Sequence, residues 1–163
     1  KINGADNTVG ASCAITNDTT ETTLEIQNEA TSGTHRCVDF RNGDGDIAGS
    51  ININTSGDSV SFETSSDYRL KENVDYSWDA TARLKQLKPA RFNFISDPDV
   101  TVDGFIAHEA QEVVPHAVTG KKDAEEMQAI DQSKLVPLLV KTMQEQQTVI
   151  EALEARITAL EAE

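Results

Sequence analysis

Residues 65–74 read Ser65-Ser66-Asp67-Tyr68-Arg69-Leu70-Lys71-Glu72-Asn73-Val74, and the chain changes character at this stretch. The residues before it are rich in Thr, Ser, Asn, Asp and Gly, whereas those after it mix short apolar segments and end in a long helical pattern. We therefore predict an α+β chain. An intertwined β-fibre segment should occupy residues 1–65, and a small mixed α/β domain should occupy residues 66–163 and end in a coiled-coil helix over about residues 133–163.

The first part of the chain carries strand and turn signals. Apolar and polar residues alternate at residues 23–27 and 59–63, which predicts strands with one buried face. Between two further apolar segments, Asn42-Gly43-Asp44-Gly45-Asp46 indicates a hairpin turn. Large apolar residues are too few here for a core within one chain, so we expect the strands to bury their faces against other copies of the chain.

Charge excludes two classes of partner. The 163 residues carry 28 acidic and 14 basic side chains, which gives a formal net charge of −14. Nucleic acids and anionic membranes both attract clustered Lys and Arg, so we expect neither as a partner. The sequence has neither an apolar segment near the roughly 20 residues of a membrane span nor a basic start followed by an apolar run. Because it opens without Met, we expect it to be a fragment of a larger protein.

The two cysteines, Cys13 and Cys37, have neither Cys-x-x-Cys spacing nor a His-rich neighbourhood. Free thiols and a single disulfide both remain open, and a reducing cytoplasm favours the thiols. Asp44 and Asp46 lack the downstream glutamate that would complete a calcium loop, so the turn interpretation is preferred. We expect no metal and no cofactor.

The C-terminal pattern predicts a helix that associates with copies of itself. With Ile150 and Ile157 at heptad position a, Leu153 and Leu160 take position d, and Met143 lies upstream on the same apolar stripe. Ile at a with Leu at d is associated with dimers, so this pattern alone does not set the number of helices in the coiled coil at three. A single amphipathic helix packed on its own domain is the alternative.

Ser66 and Lys71 form a candidate dyad at the boundary. A neutral lysine amine can take the proton of a serine hydroxyl and so make it a nucleophile. Burial or a neighbouring positive charge lowers the pKa of a lysine base, and Arg69 is a candidate for that charge. The competing interpretation is an ordinary turn or helix cap begun by Ser-Ser-Asp. Five residues of separation allow contact only if the segment turns.

Three further blocks follow this segment in a fixed order. They are residues 84–94 (LKQLKPARFNF), 104–115 (GFIAHEAQEVVP) and 131–141 (DQSKLVPLLVK). Together with residues 65–74 they resemble the endosialidase-type intramolecular chaperone, the self-cleaving C-terminal domain of bacteriophage tail spikes and tail fibres. The resemblance covers about residues 60 to 163, and its specificity lies in the ordered set.

The resemblance implies a homotrimeric chaperone that templates folding of the fibre before it and then cuts itself off. Ser66 matches the family's nucleophile and Lys71 its base, and the matching scissile bond joins Ser65 to Ser66. Asp67, Arg69 and His108 are candidate supporting residues, with His108 a candidate oxyanion donor. For His108, an ordinary structural role is the alternative.

Two functions therefore follow as hypotheses. The first is a chaperone that is also a self-cleaving serine endopeptidase, active once in its own chain. It would act in the bacterial cytoplasm during virion assembly, and the mature fibre would be located on the virion tail. The alternative is a structural trimerisation or host-attachment tip that never cuts. The expected partners are two further copies, the upstream fibre of the same polypeptide and, through that upstream region, a host surface receptor or glycan.

Overall fold

The computed structural model describes residues 24, 26, 28–57 and 59–162. The chain divides into two compact units, residues 1–74 and 75–163. The predicted functional boundary between residues 65 and 66 therefore lies inside the first unit. Most of the strand predicted at residues 23–27, and Cys13, lie outside the described residues, and Cys37 forms no disulfide with any residue that the structure describes.

The first unit contains an antiparallel sheet in the order β1-β2-β3. Its strands are β1 (Thr34–Arg41), β2 (Ile47–Asn54) and β3 (Ser59–Thr64). The predicted turn at residues 42–46 joins β1 to β2, and the amide oxygen of Asn42 accepts hydrogen bonds from the amides of Asp44 at 3.1 Å and Asp46 at 2.8 Å. Gly45 has a φ of 88°, a conformation that glycine adopts without steric cost.

One face of this sheet is apolar, and the described residues leave it uncovered. Val38, Ile51 and Phe62 pair across the three strands, and Ile53 pairs with Val60 beside them. Phe62 is nevertheless 79% exposed. Among the described residues of this unit, those that are buried are the polar Ser50 and Asn52. The sheet thus has no apolar core of its own in the part of the chain that the structure describes.

The second unit mixes short helices with two small antiparallel sheets. In chain order it contains α1 (Ala80–Leu84), β4 (Ala90–Phe94), β5 (Asp97–Gly104), α2 (Ala107–Val113), β6 (Val118–Thr119), β7 (Ala129–Ile130) and α3 (Val136–Glu161). β4 pairs with β5 and β6 with β7. 3-10 helices at Pro115–Ala117 and Gln132–Leu135 precede β6 and α3.

A small apolar core joins the helices of this unit. It consists of Ala80, Ala110, Val113, Val114, Ala117, Val118, Leu135 and Leu138, with Trp78, Leu84, Leu87, Phe105, Ala107 and Ile130 packed against it. α1, α2 and the first turn of α3 therefore share one core. The sequence before Pro89 predicts that Leu84 and Leu87 face inward, and both pack against this core.

Two expectations about local structure are corrected. The sequence from Asp79 to Lys88 predicts a short helix with Pro89 as its stop, but the helix that forms spans only Ala80–Leu84. The residue types of Asp97-Pro98-Asp99 predict the turn between two strands, but this tripeptide lies inside β5, and Ile95 and Ser96 make the reversal instead. Pro98 is tolerated because a two-stranded sheet consists of edge strands, where a missing N–H costs little.

α3 runs for 26 residues, with Pro137 in its first turn, where the missing N–H of a proline is tolerated. Its first half packs on the core through Leu138 and Thr142, whereas every residue from Gln146 to Ala162 is exposed. The fold is thus a mixture of helix and sheet ending in one long helix. No helix in the described ranges is both long and apolar enough for a membrane span.

Candidate processing site

The segment after β3 folds into a tight turn that its own sequence encodes. Asp67 caps a 3-10 helix, Tyr68–Leu70, and its carboxylate accepts a hydrogen bond from the Arg69 amide at 2.9 Å. The Lys71 amide then donates to the Tyr68 carbonyl at 3.0 Å. Aspartate is a favoured cap because its side chain satisfies an amide that the helix start leaves unpaired. The turn directs Lys71 back towards Ser66.

Ser66 and Lys71 are in direct contact. The Lys71 Nζ atom lies 2.7 Å from the Ser66 hydroxyl oxygen and 3.0 Å from the Ser66 carbonyl oxygen. Neither a regular helix nor an extended strand brings side chains five residues apart face to face. The 3-10 turn resolves the question that the sequence left open, and it places an amine within proton-transfer distance of a hydroxyl.

Arg69 is engaged with Asp67 and does not act as an isolated positive charge. Its Nε and Nη2 atoms each lie 2.9 Å from a different oxygen of the Asp67 carboxylate. This side-chain pairing with Arg69 lowers the pKa of Asp67, and the Arg69 amide and the charge of Lys71 lower it further. The same pairing raises the pKa of Arg69. The sequence makes Arg69 a candidate positive charge acting on Lys71. The negative charge of the Asp67 carboxylate offsets that positive charge.

Ser65, which precedes the candidate nucleophile, is anchored to β2. Its amide donates to the Ala48 carbonyl at 2.9 Å, and its hydroxyl donates to the Ile47 carbonyl at 2.6 Å. The Ser65–Ser66 peptide bond consequently joins a residue held by the sheet to a residue that begins the capped turn. Sequence reasoning missed this anchoring, since no local signal pairs Ser65 with β2.

Both dyad residues are exposed to solvent within a single chain. A lysine that serves as a base must lose its proton first, and removal of the amine from water is one way to favour the neutral form. The single chain supplies the contact between Ser66 and Lys71 but does not supply that burial.

The other supporting candidate, His108, lies in the second unit on α2 and is half-buried. It lines a shallow hollow together with Lys121 and Lys122. The neighbouring Glu109 forms an ion pair with Lys88 at 3.2 Å, and Gln111 donates to the Gly120 carbonyl at 3.2 Å. These two neighbours have structural partners, and the role of His108 stays a prediction.

The residues predicted to drive trimerisation all lie on α3. Four of them lie in the exposed part that begins at Gln146, and Met143 lies just before that part. Their exposed fractions are 68% for Met143, 48% for Ile150, 52% for Leu153, 54% for Ile157 and 63% for Leu160. An apolar row of this kind favours association in water because burial removes it from solvent. The structure thus leaves the predicted seam available.

A protein-family model supports this interpretation of the sequence. Residues 66–119, about a third of the chain, match a peptidase family described as the chaperone of endosialidase. The matched segment begins at Ser66 and includes Lys71 and His108. No curated protein matches the chain. The match confirms the predicted resemblance over residues 66–119 and supports an intramolecular chaperone role. The block at residues 131–141 lies beyond the matched segment.

Proposed function

We propose that the chain is the end of a phage tail fibre or spike followed by its intramolecular chaperone, which releases itself by cutting between Ser65 and Ser66. The observation that carries the proposal is the 2.7 Å contact between Lys71 Nζ and the Ser66 hydroxyl. The contact lies at the first residue of the family match. It also lies directly after the last strand of the β-structured unit.

The chemistry proceeds by an acyl shift and a hydrolysis. Neutral Lys71 takes the hydroxyl proton of Ser66, and the freed oxygen attacks the carbonyl carbon of Ser65. The C–N bond breaks, and the Ser66 nitrogen takes a proton and becomes a free amine. The Ser65 acyl group is now an ester on the Ser66 oxygen. Water cleaves this ester, leaving a Ser65 carboxylate and a chaperone that begins with Ser66.

This reaction needs no separate substrate pocket because the attacked carbonyl belongs to the residue next to the nucleophile. Proximity is therefore supplied by the covalent chain, and the turn supplies the base. The reaction happens once per chain, since the product no longer has a peptide bond at that position.

Assembly supplies the remaining requirement in this proposal. Ser66 and Lys71 are exposed in one chain, and the sheet before them and α3 both present uncovered apolar residues. Three copies in register would cover these surfaces and withdraw the dyad from water. Trimerisation in the bacterial cytoplasm would thus fold the fibre first and activate the cut second.

The decisive experiment is the intact mass, under denaturing conditions, of the wild-type chain and matched variants after purification. Wild type should yield a fragment that begins with Ser66. Ser66→Ala should stay full length, and Lys71→Ala should cut at least about 100-fold more slowly because it lacks the base. Ser96→Ala and Lys121→Ala, which change an exposed serine and an exposed lysine elsewhere, should cut like wild type.

Hydroxylamine provides a test of the ester step. It attacks esters far faster than amides, so it should accelerate cutting of the wild-type chain and leave Ser66→Ala intact. A wild-type chain that keeps its full-length mass as an assembled trimer would overturn the protease and leave a trimerising fibre tip. A cut at the same bond in Ser66→Ala would overturn the assignment of the nucleophile.

A further inference from the structure

Ser65, whose carbonyl group belongs to the scissile bond, is held by contacts with residues distant in the sequence. β3 pairs with β2 as far as Thr64 opposite Gly49. Ser65 continues this pairing through its amide to Ala48 and adds a hydroxyl bond to Ile47, at 2.9 and 2.6 Å. Two hydrogen bonds fix the backbone of Ser65 more firmly than the ladder bond alone would.

Gly49 permits this close approach of the two strands. A Cβ atom at position 49 would lie 2.6 Å from the Glu63 carbonyl oxygen, a distance that requires the backbone to move. A larger residue at position 49 would therefore push the end of β3 away from β2 just before Ser65. Gly43, in the hairpin turn, has no atom within 4 Å of such a Cβ and offers a matched comparison.

The dyad itself depends on a different set of contacts. The turn is closed by residues 66–71 alone, through the Asp67 cap and the bond from Lys71 to Ser66. A local turn of this kind forms early and independently, whereas pairing of β3 with β2 closes a longer loop and comes later. The base and nucleophile can therefore be in place before the attacked carbonyl is held.

We infer that cleavage is conditional on closure of the three-stranded sheet, because the pairing of Ser65 with the first residues of β2 orients the scissile carbonyl towards Ser66. Ser65 is then a positioning residue. Folding of the last sheet of the fibre becomes a condition for cleavage, and we call this condition the checkpoint. This inference rests on the proposed self-cleavage. It adds that cleavage requires a folded fibre end as well as an assembled chaperone.

The test measures the single-turnover cutting rate of full-length variants as a function of pH. Ser65→Ala removes the bond to Ile47 and should slow cutting about 3- to 10-fold, the range expected for one lost hydrogen bond. Ser65→Thr retains a hydroxyl and should stay near wild type. Ser61→Ala removes a hydroxyl that bonds to the Glu63 side chain on the same strand, and its rate should not change.

A second pair of variants leaves the residues at the cut untouched. Gly49→Ala should slow cutting by a similar factor or more, and Gly43→Ala should not. In every slowed variant the pH dependence should keep its shape and only its plateau should fall, because positioning does not alter the base. Circular dichroism on Ser66→Ala versions of each variant gives the sheet content without cutting.

The outcomes separate this inference from the proposed function. If Ser65→Ala and Gly49→Ala cut at the wild-type rate while Ser66→Ala does not cut, the checkpoint is overturned and self-cleavage stands. If Ser65→Ala is slowed and Ser65→Thr restores the rate, the checkpoint is supported even where Gly49→Ala fails to fold. An uncut wild-type chain overturns the proposed function and the inference with it.

Discussion

The carboxylate of Glu145 on α3 caps the start of α1 by binding Thr81. It accepts hydrogen bonds from the Thr81 amide at 2.8 Å and hydroxyl at 2.5 Å, and a third from the Ala80 amide at 3.0 Å. These are amides that the first turn of a helix leaves unpaired. A helix of five residues is too short to be stable alone, so this contact fixes α1 on the domain.

Glu145→Ala should therefore lower the melting temperature of the domain more than Glu145→Gln, which keeps one acceptor oxygen. The hydrogen bond from the Thr81 hydroxyl is the largest of the causes that lower the pKa of Glu145, and the bonds from the Ala80 and Thr81 amides follow it. A lowered folded-state pKa contributes stability above the unfolded value of about 4.3 and loses it as the pH falls through the folded value. Thermal unfolding followed by circular dichroism from pH 7 to pH 3 measures this contribution.

The Gln variant should show a smaller loss of melting temperature on acidification than wild type. Glu151→Gln is the control, since Glu151 is exposed and contacts only Gln147 on its own helix among the hydrogen bonds of the described residues. Equal acid sensitivity in wild type and Glu145→Gln would contradict the assigned cap.

Local signals in the sequence were sufficient to predict the turn at the candidate site. They were insufficient to predict the contacts between distant residues that hold Ser65 and α1 in place. Asp67 before a short segment indicates a cap, and the spacing of Ser66 and Lys71 then becomes compatible with contact. The anchoring of Ser65 on β2 and the cap from Glu145 both join distant parts of the chain. Periodicity carries no information about such pairs, because it reports the exposure of a face and not its partner.

The Pro98 segment shows the opposite failure. Asp97-Pro98-Asp99 has strong turn chemistry, yet the chain reverses at residues 95 and 96. The residue pairing explains the result, since Phe94 pairs with Asp97 and leaves room for only two residues between the strands. Register in a hairpin depends on both strands together, and a single tripeptide does not reveal it.

Asp67 should control the cutting rate through the turn. Asp67→Ala removes both the cap and the partner of Arg69, whereas Asp67→Asn keeps an oxygen that can accept from the Arg69 amide. We expect Asp67→Ala to cut about 3- to 10-fold more slowly than wild type, as one lost cap bond predicts, and Asp67→Asn to lie between them. The measurement is single-turnover cutting followed by mass spectrometry.

Asp75→Ala is the matched control for Asp67, because Asp75 likewise accepts from an amide two residues ahead, that of Ser77 at 2.8 Å. It should cut at the wild-type rate. Slowing in Asp75→Ala equal to that in Asp67→Ala would show a general loss of fold and not a specific effect of the turn.

Thr142→Val should stabilise the second unit. Thr142 is 2% exposed, and its hydroxyl has no hydrogen-bond partner among the described residues. A buried hydroxyl without a partner carries a desolvation cost, so a methyl group of the same shape should increase the free energy of unfolding by about 1 kcal/mol. Urea unfolding gives this difference.

The comparison for Thr142 is Thr148→Val on the same helix. Thr148 is exposed, and its hydroxyl donates to the Gln144 carbonyl at 3.0 Å. Its substitution should change the free energy of unfolding by less than about 0.5 kcal/mol. A destabilised Thr142→Val chain would indicate that the hydroxyl has a partner in the assembled protein.

Ile157→Asp should separate assembly from the chemistry of the dyad. Ile157 is 54% exposed in one chain and lies at a core position of the predicted seam. A carboxylate there would be buried in each helix of a trimer, at a cost that assembly cannot offset. Sedimentation velocity should show trimers for wild type and monomers for Ile157→Asp, and the cutting rate should fall with the trimer fraction.

Ala155→Asp, at the outward heptad position two residues earlier, should remain trimeric and cut normally. A monomeric Ile157→Asp chain that still cuts at the wild-type rate would refute activation by assembly and would place the whole activity within residues 65–71 of a single chain.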